Sequence, residues 1–479
     1  ARRDRMTAKD GIEPMKKAAV TLSVREKLGY GLGDTASHFV WDMVGFWILI
    51  FYTDTFGISA AAAGTIMLVA RLWDMASDPI MGVIADRTTT RWGKFRPYLL
   101  WVALPYSVLA VMAFSTPDFG PTGKVVYATI TYLLLMTAYT AINLPYSSLG
   151  AVMTADGYER ASLNTYRFVC AFGGQLVVTG LALTLAGFLG GGNDAKGYQL
   201  TLAIFGAVSF VLFMIAFAST KERIQPPITQ RSSIREDLRV LLTNTPWIVL
   251  SLVGLISFIM FALQNASVAF YFKYYVGDAE NVQLFNVIGS VALIAGLPLS
   301  KPLSKRFGKR NVFIGSSLLS GVAFGLIVLP AAENLVAIYV LNILGKIAYA
   351  PAVPLLWTML ADTADYSEWT TGRRATGLVF SASTFAQKGG WGLGGALAGW
   401  ILAAFGYVAQ SSVQSAEAVT GIRLMVSVFP GLLSIICAAL LVFYRLDAST
   451  CLQMQEELEA RRADAEDPSP TPDPTGENR

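Results

Sequence analysis

Long apolar runs alternate with short polar connections along nearly the whole chain. A membrane-spanning α-helix needs about 20 mainly apolar residues to cross a hydrocarbon core of about 30 Å. Twelve runs of roughly this length occur, at residues 30–53, 57–84, 97–117, 125–152, 161–189, 198–219, 246–272, 281–300, 311–331, 334–361, 375–405 and 424–444. The pattern predicts an all-α membrane protein with twelve transmembrane helices, since a helix satisfies its backbone polar groups without water.

A polar interruption divides these runs into two groups of six. Arg91-Trp92-Gly93-Lys94 follows the second run and Arg306-Phe307-Gly308-Lys309 follows the eighth, so the groups share a weak repeat. Parallel repeats of this kind place a substrate site near the middle of the bilayer, between the halves. We therefore predict two pseudo-symmetric six-helix bundles. The predicted segments are a cytoplasmic tail at 1–29, a first bundle at 30–219, a cytoplasmic loop at 220–245, a second bundle at 246–444 and a largely disordered cytoplasmic tail at 445–479.

Composition and charge agree with a membrane location. Hydrophobic residues make up 54% of the chain, charged residues only 15%, and the mean hydropathy is +0.50, whereas about a quarter of the residues of a soluble domain are charged. If the N-terminus is cytoplasmic, the inner connections and tails hold twenty-nine Lys and Arg residues and the outer connections hold four. This bias predicts a bacterial inner (plasma) membrane protein with both termini in the cytoplasm. The net charge of +4 follows from the same bias and indicates no nucleic-acid partner.

The chain carries no motif of a common enzyme class. A nucleotide-binding loop, a metal-binding cysteine set and a nucleophilic triad are all missing, and the 3 cysteines suggest no disulfide framework. We therefore expect neither enzymatic activity nor a cofactor.

The second run carries charges that an ordinary membrane helix avoids. Arg71, Asp74 and Asp78 are spaced three and four residues apart, so they project from one helical face. Each ionised side chain at mid-membrane costs about 2.5–3.5 kcal/mol on insertion scales. A chain tolerates that cost when the face lines a polar cavity, and two carboxylates beside an arginine suggest a cation site. The alternative is a structural ion pair that locks two helices together.

Four segments resemble the glycoside–pentoside–hexuronide:cation symporters of the major facilitator superfamily, the melibiose permease-like family. They are Phe51-Tyr52-Thr53-Asp54, residues 69–82 from Val69 to Gly82, Arg91-Trp92-Gly93-Lys94-Phe95-Arg96-Pro97, and Lys388-Gly389-Gly390. The resemblance extends from Glu26 to about Tyr444. It implies the major facilitator fold and the import of a sugar or glycoside with Na⁺ or H⁺ by alternating access.

The resemblance also implies a cation site. Asp74 and Asp78 match the family's two cation-binding carboxylates, and Thr140 matches its hydroxyl ligand. Ser77 stands where melibiose permease has an asparagine. Sodium usually takes about five or six oxygen ligands, whereas a proton needs one carboxylate whose pKa is raised by burial. Na⁺ at Asp74 and Asp78 and H⁺ therefore both remain possible coupling ions.

On the sugar side the chain departs from the family. Two sugar-binding carboxylates of melibiose permease are replaced by His38 and Asn143, while Arg167 and Lys388 are kept. The pocket thus has fewer negative charges, and arginine suits carboxylate or sulfonate geometry. We therefore favour an acidic sugar, such as a hexuronide or sulfonated hexose, although Asp42 beside His38 would favour a neutral glycoside. The predicted substrate-binding residues are His38, Asp42, Tyr139, Asn143, Arg167, Lys388 and Trp391.

A further set of charged residues lies near the predicted cytoplasmic ends of the helices, where we expect a gate. They are Asp34, Asp86, Arg91, Asp362, Arg373 and Arg374. The expected partners are a small-molecule sugar or acidic sugar, the coupling cation and membrane lipid, and the expected oligomeric state is a monomer. Two other functions remain open: a sodium-coupled carrier of lysolipid-like amphiphiles, and a ligand-sensing membrane protein that does not transport.

Overall fold

The computed structural model describes residues 21–154, 156–223, 241–372 and 376–466. Within these ranges the regular structure is helical, apart from one isolated bridge between Thr90 and Gly93. The all-α prediction is therefore confirmed for the described residues.

The described residues of the first half, 21–154 and 156–223, form seven α-helices, several of which extend beyond the predicted runs. A π-helical turn at Phe51–Thr55 prolongs the first helix, and the third predicted run is broken at Val102 into two helices. The helices are α1 (Val24–Ile50), α2 (Ala60–Arg87), α3 (Arg96–Trp101), α4 (Ala103–Ala113), α5 (Pro121–Met153), α6 (Gly157–Gly190) and α7 (Asp194–Ser219).

The second half has more interruptions. A π-helical turn at Tyr271–Val276 follows α8, and a 3-10 turn at Leu297–Leu299 separates α9 from α10. The helices are α8 (Thr245–Phe270), α9 (Asn281–Gly296), α10 (Ser300–Phe307), α11 (Lys309–Leu326), α12 (Leu335–Tyr349), α13 (Ala352–Thr371), α14 (Thr376–Ala404), α15 (Ala416–Val426), α16 (Val428–Leu441) and α17 (Ala448–Glu466).

Helix α17 lies in the tail that the sequence predicts to be largely disordered. Its Met454 and Leu458 are buried, and the helix packs against α13, where Trp369 Nε1 donates a hydrogen bond of 2.7 Å to Glu457. The tail thus differs from the prediction over these residues, because an apolar contact with the helical bundle stabilises them.

Eight helical segments of the described residues are long and apolar enough to cross a membrane. They are Val24–Thr55, Pro121–Met153, Ser162–Gly190, Asp194–Ser219, Thr245–Val276, Asn281–Phe307, Leu335–Thr371 and Ala416–Leu441. Four predicted spans are not among them, namely those in α2, in α3 and α4, in α11 and in α14. The charges of α2 and the polar and glycine residues of α14 lower their hydropathy. The count of twelve spans therefore stays a prediction.

Helix α14 is packed tightly between α2 and α8. A Cβ atom added to Gly399 would lie 2.4 Å from the carbonyl oxygen of Ala60 and 2.7 Å from Gly64 Cα. One added to Gly394 would lie 2.5 Å from the carbonyl oxygen of Ile259 on α8. Small residues let membrane helices approach closely in this way. The contact brings α14, from the second half, directly against α2, from the first.

Candidate functional site

An ion-pair cluster joins α2 and α14. Lys388 Nζ of α14 lies 2.6 Å from Asp78 Oδ2 and 3.3 Å from Asp74 Oδ2 of α2. The four-residue spacing of the two aspartates places both on the face that meets α14. Asp74 is completely buried, while a quarter of the Asp78 side chain is exposed. The ammonium group of Lys388 therefore contacts both carboxylates and balances one of their two negative charges.

Polar and aromatic groups of the first half surround Asp74. Thr140 on α5 donates a hydrogen bond of 2.6 Å to Asp74 Oδ1, and Arg71 lies 3.6 Å from Asp74 Oδ2. The Arg71 guanidinium is 4.0 Å from the centre of the Trp41 ring, which stacks on Tyr139 at 4.3 Å. Sequence reasoning did not select Trp41, because an aromatic residue inside an apolar run gives no separate signal.

The oxygen atoms of this cluster suit a small cation. Asp78 Oδ1 is buried and accepts no hydrogen bond, and the Thr140 hydroxyl lies beside Asp74. Ser77 instead donates its hydroxyl to the backbone carbonyl of Asp74, at 3.0 Å. Two carboxylates and one hydroxyl are the hard oxygen ligands that Na⁺ uses, as Ca²⁺ and Mg²⁺ do, and either carboxylate can hold a proton. Such a cation would compete with Lys388 for the same carboxylates.

Three of the predicted substrate-binding residues in the first half form ion pairs, two with each other and one with a predicted gate residue. His38 Nδ1 lies 2.9 Å from Asp42 Oδ2 within α1. Arg167 Nε of α6 donates to Asp34 Oδ2 of α1, also at 2.9 Å. The ion pair joins a predicted substrate residue to a predicted gate residue, so Arg167 is already neutralised by a carboxylate.

Asn143, also predicted to contact substrate, makes a local contact. Its side-chain oxygen accepts a hydrogen bond from the Ser147 hydroxyl one turn further along α5, at 3.2 Å. Its side chain is half-buried.

A cavity of about 230 Å³ lies between the two halves. Phe46, Phe172 and Gln175 line it from the first half, and most of its other lining residues come from α8, α9 and α12. Of the predicted substrate-binding residues, Trp391 lines this cavity. Trp391 also contacts Trp41 edge to face, at 6.4 Å between ring centres, which connects the cavity to the ion-pair cluster.

The cavity carries polar groups that the predicted site does not include. Lys346 of α12 donates a hydrogen bond of 2.9 Å to Gln264 Oε1 of α8. Both residues line the cavity, together with Asn286 and Asn342. Gln264, Asn342 and Lys346 lie inside apolar runs, so the sequence predicts that they face a cavity, although many such residues only join helices.

The four predicted gate residues that the structure describes, Asp34, Asp86, Arg91 and Asp362, do not form one cluster. Asp86 and Arg91 are exposed, and the Arg91 guanidinium lies 4.4 Å from the centre of the Trp92 ring. Asp362 accepts hydrogen bonds of 2.6 and 2.9 Å from Lys309 Nζ, within the second half. Arg373 and Arg374 lie outside the described residues. The gate stays a prediction.

A charged cluster that sequence reasoning missed joins the halves at the opposite end of the bundle. Asp54 Oδ2, at the end of the first helix, accepts hydrogen bonds from Lys273 Nζ at 2.5 Å and from the Tyr274 hydroxyl at 2.6 Å. Asp54 Oδ1 accepts another from the hydroxyl of Tyr407, which follows α14. In the sequence, an acidic residue follows the first apolar run and a lysine follows the seventh, and this pattern could have indicated the ion pair.

Known proteins resemble the chain over most of its length. The family model described as MFS/sugar transport protein matches residues 29–448. Over 446 residues the chain is 38% identical to the putative glycoside/cation symporter YagG of Escherichia coli (strain K12), which covers 92% of this chain and 96% of that protein. It is 31% identical to the glucuronide carrier protein homolog of Escherichia coli (strain K12), over 92% of this chain and 96% of that protein.

A solved structure shows the same fold. The crystal structure of the nucleoside transporter NupG aligns with a TM-score of 0.61 and 13% sequence identity, over 88% of this chain and 99% of that chain. The match of the family model to 29–448 and the identity of 38% to YagG are far more specific. The chain therefore belongs to the MFS/sugar transport protein family and is a membrane transporter, not an enzyme.

Proposed function

We propose that the protein is a symporter that imports a sugar, a glycoside or an acidic sugar together with Na⁺ or H⁺. The observation that carries this proposal is the ion pair of Lys388 with Asp78 and Asp74. It links the two halves at the depth where a major facilitator transporter binds its substrate. The relatives named as a glycoside/cation symporter and a glucuronide carrier homolog support a sugar substrate.

Coupling follows from competition for the two carboxylates. An uncompensated charge at mid-membrane costs about 2.5–3.5 kcal/mol, so Asp74 and Asp78 need a positive charge in every state that moves. When the cation binds the carboxylates, Lys388 is released and can donate to sugar hydroxyls. By linkage, the sugar then tightens cation binding by the same factor as the cation tightens sugar binding. The empty and the doubly loaded forms therefore exchange between the two sides.

In the proposed mechanism the sugar binds between His38, Asn143, Arg167 and Lys388, with Trp391 available for stacking. Sugar sites combine aromatic surfaces with a few polar groups that fix orientation. Coupling by Na⁺ would use oxygens of Asp74, Asp78 and Thr140, and Ser77 would join after rotation of its hydroxyl. Coupling by H⁺ would use either carboxylate alone.

The proposed topology is twelve spans in two pseudo-symmetric bundles, in the bacterial inner membrane, with both termini cytoplasmic. It is supported by the family and by the distribution of Lys and Arg along the sequence. In this orientation the Asp54 cluster lies at the outer end, where it joins the halves. The described conformation is then one that is closed toward the outside. A monomer suffices for this mechanism.

A lysolipid-like cargo is less consistent with the cavity. Gln264, Asn286 and Lys346 present polar groups among its aromatic and aliphatic lining residues, and an acyl chain would bury those groups without hydrogen-bond partners. A ligand sensor without transport differs from the proposal in one measurable property, which is uptake into a sealed vesicle.

Uptake into proteoliposomes under an imposed Na⁺ or proton gradient tests the proposal. Glycosides and hexuronides are offered in turn, and we expect one of the two gradients to drive accumulation of at least one. The variant Asp78→Asn should abolish accumulation, while Asp118→Asn, which changes an exposed carboxylate in the connection after α4, should leave it intact. Undiminished accumulation by Asp78→Asn would refute the cation site.

A further inference from the structure

Among the described residues, four cationic side chains lie inside the predicted apolar runs, and three of them face a carboxylate. Arg71 lies beside Asp74, Arg167 beside Asp34, and Lys388 beside Asp74 and Asp78; the fourth is Lys346. Across the described residues, the hydrogen-bond partner of Lys346 is the neutral amide of Gln264, and no carboxylate lies within ion-pair distance. Its positive charge is therefore not balanced.

The surroundings of Lys346 suit an anion. The ammonium group can only donate, so Gln264 presents its oxygen to Lys346 and its Nε2 is left buried without an acceptor. Asn286 Nδ2 is likewise buried without an acceptor, and both residues line the same cavity. Gln264 is 2% exposed. One cationic and two amide donors thus line a single cavity.

Aromatic rings hold the lysine in place without neutralising it. Lys346 Nζ lies 5.4 Å from the centre of the Phe261 ring and 5.6 Å from that of Phe324. These contacts offset part of the desolvation of the ammonium group. They leave its donors available to an acceptor that enters the cavity.

We propose that Lys346, Gln264 and Asn286 form an anion subsite that binds the carboxylate or sulfonate of an acidic sugar. This inference rests on the proposed function, because it names the substrate class of the same transporter. The subsite offers one full positive charge, which balances a monoanion and leaves a phosphate dianion uncompensated. It also moves recognition of the acid away from Arg167, whose charge Asp34 already neutralises.

The subsite places the sugar across both halves. The acidic group lies against the second half, and the ring passes Trp391, which lines the cavity beside Trp41. The hydroxyl groups then reach the first half. Such a substrate contacts both bundles at once, which is what alternating access requires of a central site.

Paired ligands test the subsite. Binding of methyl β-D-glucoside and methyl β-D-glucuronide, and of glucose and its 6-sulfonated analogue, is measured by titration calorimetry on the purified full chain. We expect the wild type to prefer at least one acid over its neutral partner. A hydrogen bond to a charged group contributes about one to two powers of ten to affinity. Lys346→Gln should therefore lower the affinity for that acid about 10- to 100-fold and leave the affinity for the neutral sugar unchanged.

Two further variants separate binding from folding. Lys301→Gln removes an exposed lysine of α10 and should keep the wild-type preference. Asn286→Leu keeps the charge of Lys346 but removes one hydrogen-bond donor, so it should lower the affinity for the acid about 3- to 10-fold. Without ligand, the unfolding temperature of Lys346→Gln should equal or exceed that of the wild type, because the substitution removes an unpaired charge. A lower unfolding temperature would mean that Lys346 stabilises the fold, and it would overturn the proposal.

The outcomes also distinguish the subsite from the proposed function. Failure of every acid to bind more tightly than its neutral partner overturns the subsite, and so does a preference that survives Lys346→Gln. Either result leaves the proposed symporter intact if a cation gradient still drives uptake of a neutral glycoside. Absence of gradient-driven uptake of every sugar would overturn the proposed function itself.

Discussion

The Asp54 cluster makes a prediction about which side of the protein is closed. Asp54 is nearly buried, with 5% of its side chain exposed, and accepts hydrogen bonds from Lys273, Tyr274 and Tyr407. These partners belong to the second half, whereas Asp54 ends the first helix. Opening this end of the bundle must break these hydrogen bonds. The variant Asp54→Asn keeps the shape of the side chain and removes its charge.

The size of the effect follows from the hydrogen bonds that the substitution weakens. A hydrogen bond to a charged group contributes about 1.5–3 kcal/mol. The asparagine oxygen can still accept from one tyrosine, and Lys273 is 38% exposed, so water replaces part of its interaction. We therefore expect the closed form to be destabilised by about 2–3 kcal/mol, which shifts the ratio of closed to open about 30- to 150-fold.

Double electron–electron resonance distances can measure this shift. Spin labels at Phe119 and Val413, two exposed residues in connections at the Asp54 end of the two halves, report the separation in a cysteine-free background. Asp54→Asn should add a population with a longer distance. Glu280→Gln, which changes an exposed carboxylate at the same end, should leave the distribution unchanged. An unaltered distribution in Asp54→Asn would refute the role of the cluster in closing this end.

Two further predictions concern the cation site and the contact between the halves. Thr140→Val removes the hydroxyl that donates to Asp74, so the cation concentration needed to activate sugar uptake should rise about tenfold or more. The control is Thr129→Val, because the Thr129 hydroxyl donates to a carbonyl of its own helix. Equal cation dependence in the two variants would contradict the role of Thr140 as a cation ligand. Gly399→Ala places a methyl group 2.4 Å from a carbonyl oxygen of α2 and should destabilise this conformation by about 1–3 kcal/mol, seen as a lower unfolding temperature. Gly187→Ala, with nothing within 4 Å, should not lower it, and a similar loss in both variants would argue against close packing at Gly399.

The sequence predicts those parts of the site that lie on one helix. The spacing of Asp74 and Asp78 places both carboxylates on one face by helix geometry alone. Lys388 lies 310 positions away from Asp78, and the resemblance to a family singled out each residue without showing that they form an ion pair. Distances of this kind along the chain leave no local pattern, because the contact depends on how the two halves pack.

Other features depended on tertiary contacts. Nothing local to Arg167 shows that Asp34 neutralises it, and nothing local to Lys346 shows that its hydrogen-bond partner is an amide. The proline-rich end of the chain suggested a disordered tail, while the residues before it form α17 through burial of Met454 and Leu458. Helix α2 is a predicted span that is not among the segments apolar enough to cross a membrane, because its charged residues lower its mean hydropathy.

In the proposed mechanism the coupling cation replaces Lys388 at Asp74 and Asp78, and this exchange controls sugar binding. The most direct test is sugar affinity measured by calorimetry as a function of Na⁺ concentration and of pH, in the wild type and in Asp78→Asn. We predict that the wild type binds sugar more tightly as one of the two cations increases, and that the affinity of Asp78→Asn does not respond to either. A variant that binds sugar with undiminished dependence on the cation would contradict the account.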